Sequence, residues 1–161
     1  MSSINELFDL LALHQVIDSY CLRVSPDTSI GDAIALMLNI SYTNEEKANC
    51  VLVTEECRLV GIFTQVDALR LAISGKNLSS MTVGEVMIRE VISLKHETHQ
   101  DIFTALRVMR QHQISHLPIV DEKDNLLGIV EEKSLLQFFL DQDDSIIPLQ
   151  KQIELERQSW Q

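Results

Sequence analysis

Arg58-Leu59-Val60-Gly61-Ile62-Phe63-Thr64-Gln65-Val66-Asp67-Ala68-Leu69-Arg70 is the stretch on which the reading of the whole chain turns. Leu59 to Phe63 is an apolar run of strand length, and it leads directly into a helical pattern that starts at Thr64. Thr64 falls at the N-cap and Asp67 at N3, where the first N–H groups of a helix have no intrahelical partner. Two jobs fit a hydroxyl and a carboxylate at this spacing, with a glycine just upstream. One is a capping box, which closes the helix end for about 1 kcal/mol. The other is ligand binding. Asp67 would accept hydrogen bonds from the two hydroxyls of a ribose, while Thr64 and the helix N-terminus would receive phosphate.

The same frame returns further on, as Gly128-Ile129-Val130-Glu131-Glu132-Lys133-Ser134. Around the first frame the pattern predicts a strand at 21–24, a helix from about Ser29 through Met37 and Leu38, and a polar loop from Ser41 to Asn49. A strand at 50–53, a turn at 55–58 and the strand at 59–63 follow. The helix from Thr64 ends near Ser74, with Gly75 suited to C′ and 76–81 a linker. Around the second frame come a strand at 91–94, a helix at 101–113, strands at 117–120 and 126–130, and a helix at 133–140. Met37 matches Met109 at an offset of 72, whereas Val53 with Val120 and Gly61 with Gly128 match at 67. The first copy therefore carries five extra residues in its Ser41 to Asn49 loop. Units of about 60 residues bury too little surface alone, so the two copies are expected to pack together. An amphipathic helix at 4–19 precedes them, with Leu7, Leu10, Leu11, His14 and Ile17 on one stripe.

Composition narrows the function classes. A net charge of −11 argues against a protein that tracks nucleic-acid backbones, which needs a basic face. No apolar run reaches the roughly 18 residues needed to span a bilayer, and no basic segment followed by an apolar core marks a secretory signal. Three cysteines, Cys21, Cys50 and Cys57, are odd in number and show no CxxC pair, which suits a reducing, cytoplasmic setting. No Ser-His-Asp order, nucleophile elbow or Walker loop is present, so no enzyme is expected. His112 and His116 have the spacing of a helical metal pair, but Pro118 and the strand pattern put His116 outside that helix. No metal site is expected.

The two copies resemble a tandem pair of CBS domains (cystathionine β-synthase type), the regulatory Bateman module. The likeness is carried by Thr82-Val83-Gly84-Glu85-Val86-Met87, by Ile114-Ser115-His116-Leu117-Pro118-Ile119-Val120-Asp121 and by the frames at Gly61 and Gly128, and it covers about Leu22 to Leu140. With Gly75-Lys76-Asn77-Leu78 and Asp101-Ile102-Phe103-Thr104-Ala105-Leu106, it is also similar to the input module of bacterial multidomain signalling proteins. The resemblance implies a mixed α/β (α+β) fold of two β-α-β-β-α repeats. These pack through their sheets with pseudo-two-fold symmetry, between flanking N- and C-terminal helices. The divisions expected are 1–19, 20–81, 82–142 and 143–161.

The resemblance also implies a ligand. In the first copy Gly61, Ile62, Thr64 and Asp67 fill the family's nucleotide frame, Ala48, Asn49 and Cys50 would read the adenine edge, and Leu22 and Arg23 would wall the base. Arg70 would either reach phosphate or lie solvated on the helix. In the second copy Glu131 replaces Thr64 and Ser134 replaces Asp67, so carboxylates would repel phosphate there. The expected function is a non-catalytic regulatory sensor that binds an adenine nucleotide at the first repeat and passes occupancy to a partner or effector domain. The alternative is a purely structural dimerisation module. Apolar stripes at 68–73 and 135–140 point to a homodimer, with no cofactor, nucleic acid or membrane involved. Ile146, Leu149, Ile153 and Trp160 suit either a helix packed on its own module or the start of a coiled coil.

Overall fold

The computed structural model describes residues 11–39, 48–97 and 100–141. The expected C-terminal helix, the start of the expected N-terminal helix and most of the loop at 41–49 lie outside them. In order come β1 (Arg23–Val24), α1 (Ile30–Asn39), β2 (Cys50–Glu55), β3 (Arg58–Thr64) and α2 (Gln65–Ile73). After a 3-10 turn at Leu78–Ser80 follow α3 (Val83–Val86), β4 (Leu94–Lys95), α4 (Ile102–His112), β5 (His116–Val120), β6 (Leu126–Glu131) and α5 (Glu132–Asp141). The repeat order β-α-β-β-α thus occurs twice. Each copy forms its own three-stranded sheet, β1-β2-β3 and β4-β5-β6, with the first pair parallel and the second antiparallel. Val51, Leu52 and Val53 are apolar without alternation because the central strand β2 is buried on both faces.

The helices bury matching triads. Ile30, Ala33 and Met37 of α1 and Ile102, Ala105 and Met109 of α4 stand on one stripe at the same spacing, all buried and all related by 72 residues. Ser29 and Asp101 begin these helices: Asp32 N donates to Ser29 Oγ (3.0 Å), and Thr104 N donates to Asp101 Oδ1 (2.8 Å). Strand register corrects the alignment of the copies. Gly61 pairs with Val53 and Gly128 with Ile119, and each ladder bulges one residue later, so Val53 corresponds to Ile119 at an offset of 66 rather than to Val120. Measured from the helices at 72, the first copy carries six extra residues between helix and strand. The second regains one in its hairpin, which restores 67 at the glycines.

The two cores are completed crosswise. Val83 and Met87, from the segment that leads into the second copy, pack among Ile30, Met37, Val53 and Phe63 of the first. Leu11, Leu13 and Val16, ahead of the first copy, pack among Ile102, Met109, Leu117 and Leu135 of the second. Backbone bridges follow the same exchange: Ile62 and Ile88 trade both hydrogen bonds (3.0 and 2.9 Å), and so do Asp18 and Ile129 (2.8 and 2.9 Å). This overturns the helix expected at 4–19 within its described part. Leu13–Val16 is a 3-10 turn, and His14 is exposed while Leu13 and Val16 point inward. A regular helix could not offer Leu13 N to Gln100 O (2.8 Å) and Asp18 N to Ile129 O. The strand expected at 91–94 shortens to β4 for a related reason, since the segment before it is bridged to β3 at Ile88.

The exchange explains two glycines. A Cβ at Gly61 would collide with the side chain of Met87, and one at Gly128 would lie 2.6 Å from Asp18 O and from Ile17 Cγ2. Gly128→Ala is therefore expected to cost about 1–3 kcal/mol through forced backbone displacement. Urea unfolding of the variant should show a lowered midpoint, and an unchanged midpoint would refute the crosswise contact as described.

Candidate functional site

Where the copies meet, a cleft of about 560 Å³ opens at the end of β3. Its near side is Asn49, Ile62, Thr64, Gln65 and Val66, the last three being the N-cap and first turn of α2. Its far side comes from the second copy: Ile88, Glu90, Val91 and Ile92 ahead of β4, Gln113 to Ser115 ahead of β5, and His116 at the start of β5. The lining mixes isoleucine and valine side chains with Asn49, Thr64, Gln65, Glu90 and Ser115, and among the described residues it contains no lysine or arginine.

Thr64 and Asp67 form the capping box in full. Thr64 N donates to Asp67 Oδ2 (2.9 Å), Thr64 Oγ1 donates to the same oxygen (2.7 Å), and Asp67 N donates to Thr64 Oγ1 (3.3 Å). Arg70 Nη1 stands 3.7 Å from the other carboxylate oxygen, Oδ1, with its side chain largely in solvent. Of the nine residues expected at the site, Asn49, Ile62 and Thr64 line the cleft. Gly61, Asp67, Ala48 and Cys50 lie beside it: Gly61 is packed on Met87, Asp67 is turned into the cap, and Cys50 is paired with Thr64 across β2 and β3. Leu22 and Arg23 are elsewhere. Leu22 O accepts from Leu52 N (2.9 Å) and Arg23 pairs with Leu52, so the wall facing Thr64 is Ile88 to Ile92 instead. The reason is the crosswise exchange, which carries each copy's leading segment to the other copy's last strand.

At the matching position in the second copy, Glu131 is less exposed as a charge than its sequence suggests. Lys133 Nζ lies 3.0 Å from Oε2, and His116 Nε2 lies 3.7 Å from Oε1. The lysine partly neutralises the carboxylate, which weakens the repulsion expected against phosphate there. Burial lowers the His116 pKa from its usual value, against an opposing pull from Glu131. Burial also pushes the Cys50 thiol up to about 12, with Glu131 adding to the effect. Sequence spacing paired His116 with His112. The fold sets it beside Cys50 and Glu131 instead, with one potential metal-ligating atom from each residue within 4.8 Å of the others. The signal for this lay in strand starts, since Cys50 and His116 both open central strands.

A family model for the CBS domain matches residues 13–74 and 83–141. The chain belongs to the CBS-domain family. Inosine-5'-monophosphate dehydrogenase of Methanocaldococcus jannaschii is 29% identical over 123 residues, covering 76% of this chain and 22% of that enzyme. Two further relatives are spanned over 51% and 57% of their length, so the chain corresponds to a part of each of these three relatives. Among solved structures, the CBS domain pair of protein MJ0100 in complex with 5'-methylthioadenosine and S-adenosyl-L-methionine superposes with a TM-score of 0.67 at 22% identity. That match covers 80% of this chain and 98% of that one. The cytosolic domain of the Mg2+ channel MgtE in complex with ATP gives 0.64 at 20% identity, over 82% of this chain and 50% of that one. At these identities the likeness is one of fold. Among the described residues of this CBS pair, no helix is long and apolar enough to cross a membrane.

Because the capping box is complete, Asp67→Ala should lower stability by about 1 kcal/mol even without any ligand. Chemical unfolding measures this directly, and an unshifted midpoint would show that the box contributes nothing to the fold.

Proposed function

We propose that this CBS pair is a non-catalytic regulatory sensor that takes one adenosine-type ligand per chain in the cleft beside Thr64. The observation that carries the reading is the cleft itself. An apolar slot bounded by Ile62, Ile88, Val91 and Ile92 suits the faces of a purine, while Thr64 and the positive end of α2 stand beside it, with Gln65 N and Asp67 N already engaged by Asn49 O and Thr64 Oγ1. The ligands named for the MJ0100 and MgtE structures support the adenosine class. Asp67 would receive the ribose hydroxyls through Oδ1, the oxygen not engaged by Thr64. With no lysine or arginine among the described lining residues, phosphate charge there is met by the α2 N-terminus and by Arg70. That arrangement favours adenosine, a thioether adenosine or a monophosphate over a triphosphate.

Binding would bridge β3 of the first copy to the segments ahead of β4 and β5 of the second, so occupancy would stiffen the contact between copies. Such a change would reach an effector domain or partner in the cytoplasm. Calorimetry with AMP, ATP and S-adenosylmethionine should give one site per chain, tightest for the ligand with least phosphate charge. Asp67→Ala should weaken binding by about 2–3 kcal/mol, more than its capping cost. Two equal sites, no saturable binding or unimpaired binding by the variant would each overturn the reading.

Assembly follows from the outer face. No residue of α2 is buried within the chain, and Val66, Leu69 and Ile73 form an exposed stripe with Leu136 and Leu140 of α5 also exposed. A homodimer covering these residues is the arrangement we expect. Light scattering should return twice the 18.3 kDa chain mass, and Leu69→Glu should return the single mass. A wild-type reading of one chain at tens of micromolar would refute dimerisation.

A further inference from the structure

Cys50 opens β2, His116 opens β5, and Glu131 closes β6 as the cross-strand partner of His116. Under the internal pseudo-dyad Cys50 and His116 are equivalents, so the two central strands begin side by side at the axis. Cys50 otherwise sits in the apolar contact between copies, with Leu52, Ile62, Leu126 and Ile129. One ligand atom from each of the three side chains falls within 4.8 Å of the other two. We propose that Cys50, His116 and Glu131 form a binding site for one divalent transition ion of the zinc class, lying between the two copies.

The donor set selects the ion. A thiolate, an imidazole nitrogen and a single carboxylate oxygen suit zinc, whereas magnesium and calcium require shells of oxygen. Tetrahedral zinc holds sulfur at about 2.3 Å and nitrogen or oxygen at about 2.0–2.2 Å, which puts adjacent ligands about 3.5 Å apart. Small side-chain rotations bring the group from its present spread to that distance. Glu131 is set up to offer one oxygen: Oε1 faces His116, while Lys133 holds Oε2. On binding, Cys50 Sγ–H gives its proton to solvent and the thiolate bonds to the ion. Thiolate and carboxylate then balance the ion's two positive charges, and Lys133, whose partner is now shared with the ion, leaves one positive charge at the edge of the site. His116 also lines the cleft, so the fourth position opens on that side for water or for a group of a bound ligand. The site ties β2 of the first copy to β5 and β6 of the second, and it does so whether or not a nucleotide is present.

The test is titration of the metal-free full chain with cobalt(II), read by absorption. We expect one equivalent per chain, a thiolate-to-cobalt charge-transfer band and the visible bands of tetrahedral cobalt, all abolished by added zinc(II). Cys50→Ser should remove the charge-transfer band, while Cys21→Ser and Cys57→Ser should keep it. His116→Gln and Glu131→Gln should each weaken cobalt binding at least about tenfold. The Glu131 variant serves where a buried change at Cys50 prevents folding, because this carboxylate stands at the edge of the core. Absence of the charge-transfer band in the wild-type chain, its loss in Cys57→Ser with retention in Cys50→Ser, or unchanged affinity in Glu131→Gln would overturn the proposal. None of these outcomes depends on adenosine binding, so this site and the cleft ligand stand or fall separately.

Discussion

The fold depends on an exchange. Each copy lacks a piece of its own core and receives it from the segment that leads into the other: Val83 and Met87 go to the first, and Leu11, Leu13 and Val16 to the second. Neither sheet of three strands, with an outer strand of two residues, could bury its central strand alone. The reciprocal bridges at Ile62–Ile88 and Asp18–Ile129 fix where those segments run, and they do so with backbone groups that any residue supplies. Side-chain specificity enters at Gly61 and Gly128, where the incoming segment passes too close for a Cβ. Cooperativity between the copies follows, since separating them would unroof both cores at once.

That exchange also separates what could be read in the sequence from what could not. Strand and helix identity was legible because Ile30-Ala33-Met37 and Ile102-Ala105-Met109 repeat one helical spacing and because the central strands are unbroken apolar runs. The Thr64 cap and the stop at Gly75, which sits at φ +71°, were legible from local chemistry. Register was not, because a bulge leaves no mark in composition, and so Val53 was set against Val120 instead of Ile119. The segment before β1 was misread because a 3-10 turn docked by its backbone shares apolar spacing with a helix. Leu22 and Arg23 were expected at the cleft and pair with β2 without lining it, for the same cause. Position in sequence places them near the first frame, and only the crossing of leading segments sends the wall facing Thr64 to the second copy.

The Thr64–Asp67 pair caps α2, and that cap sets a condition on the proposed recognition. The hydroxyl donates to the carboxylate and accepts from its backbone N–H, so its one proton is committed within the chain. A ligand at this end must therefore add to the box rather than replace it. Replacement would forfeit the capping free energy of about 1 kcal/mol before any gain was made. The other oxygen, Asp67 Oδ1, is not engaged by Thr64 and has Arg70 Nη1 at 3.7 Å. Binding through that oxygen leaves the helix start intact, which is the condition for a site that can empty without loosening α2.

Internal symmetry gives every position a control within the same molecule. Positions that carry the fold are alike or conservatively matched: Ile30 with Ile102, Met37 with Met109, Gly61 with Gly128, Val83 with Leu13. Positions at the meeting of the copies are not. Cys50 faces His116 across the pseudo-dyad, Thr64 corresponds to Glu131, and Asp67 to Ser134. If the contact between copies served only to join two sheets, apolar residues would satisfy all six places, as they do next door at Leu52, Ile62, Leu126 and Ile129. A thiol, an imidazole and a paired carboxylate instead gather at the edge of that apolar contact, where a half-buried polar group costs free energy unless something satisfies it. Lys133 and His116 satisfy the carboxylate in part, and the proposed ion would satisfy the thiol and the imidazole with it.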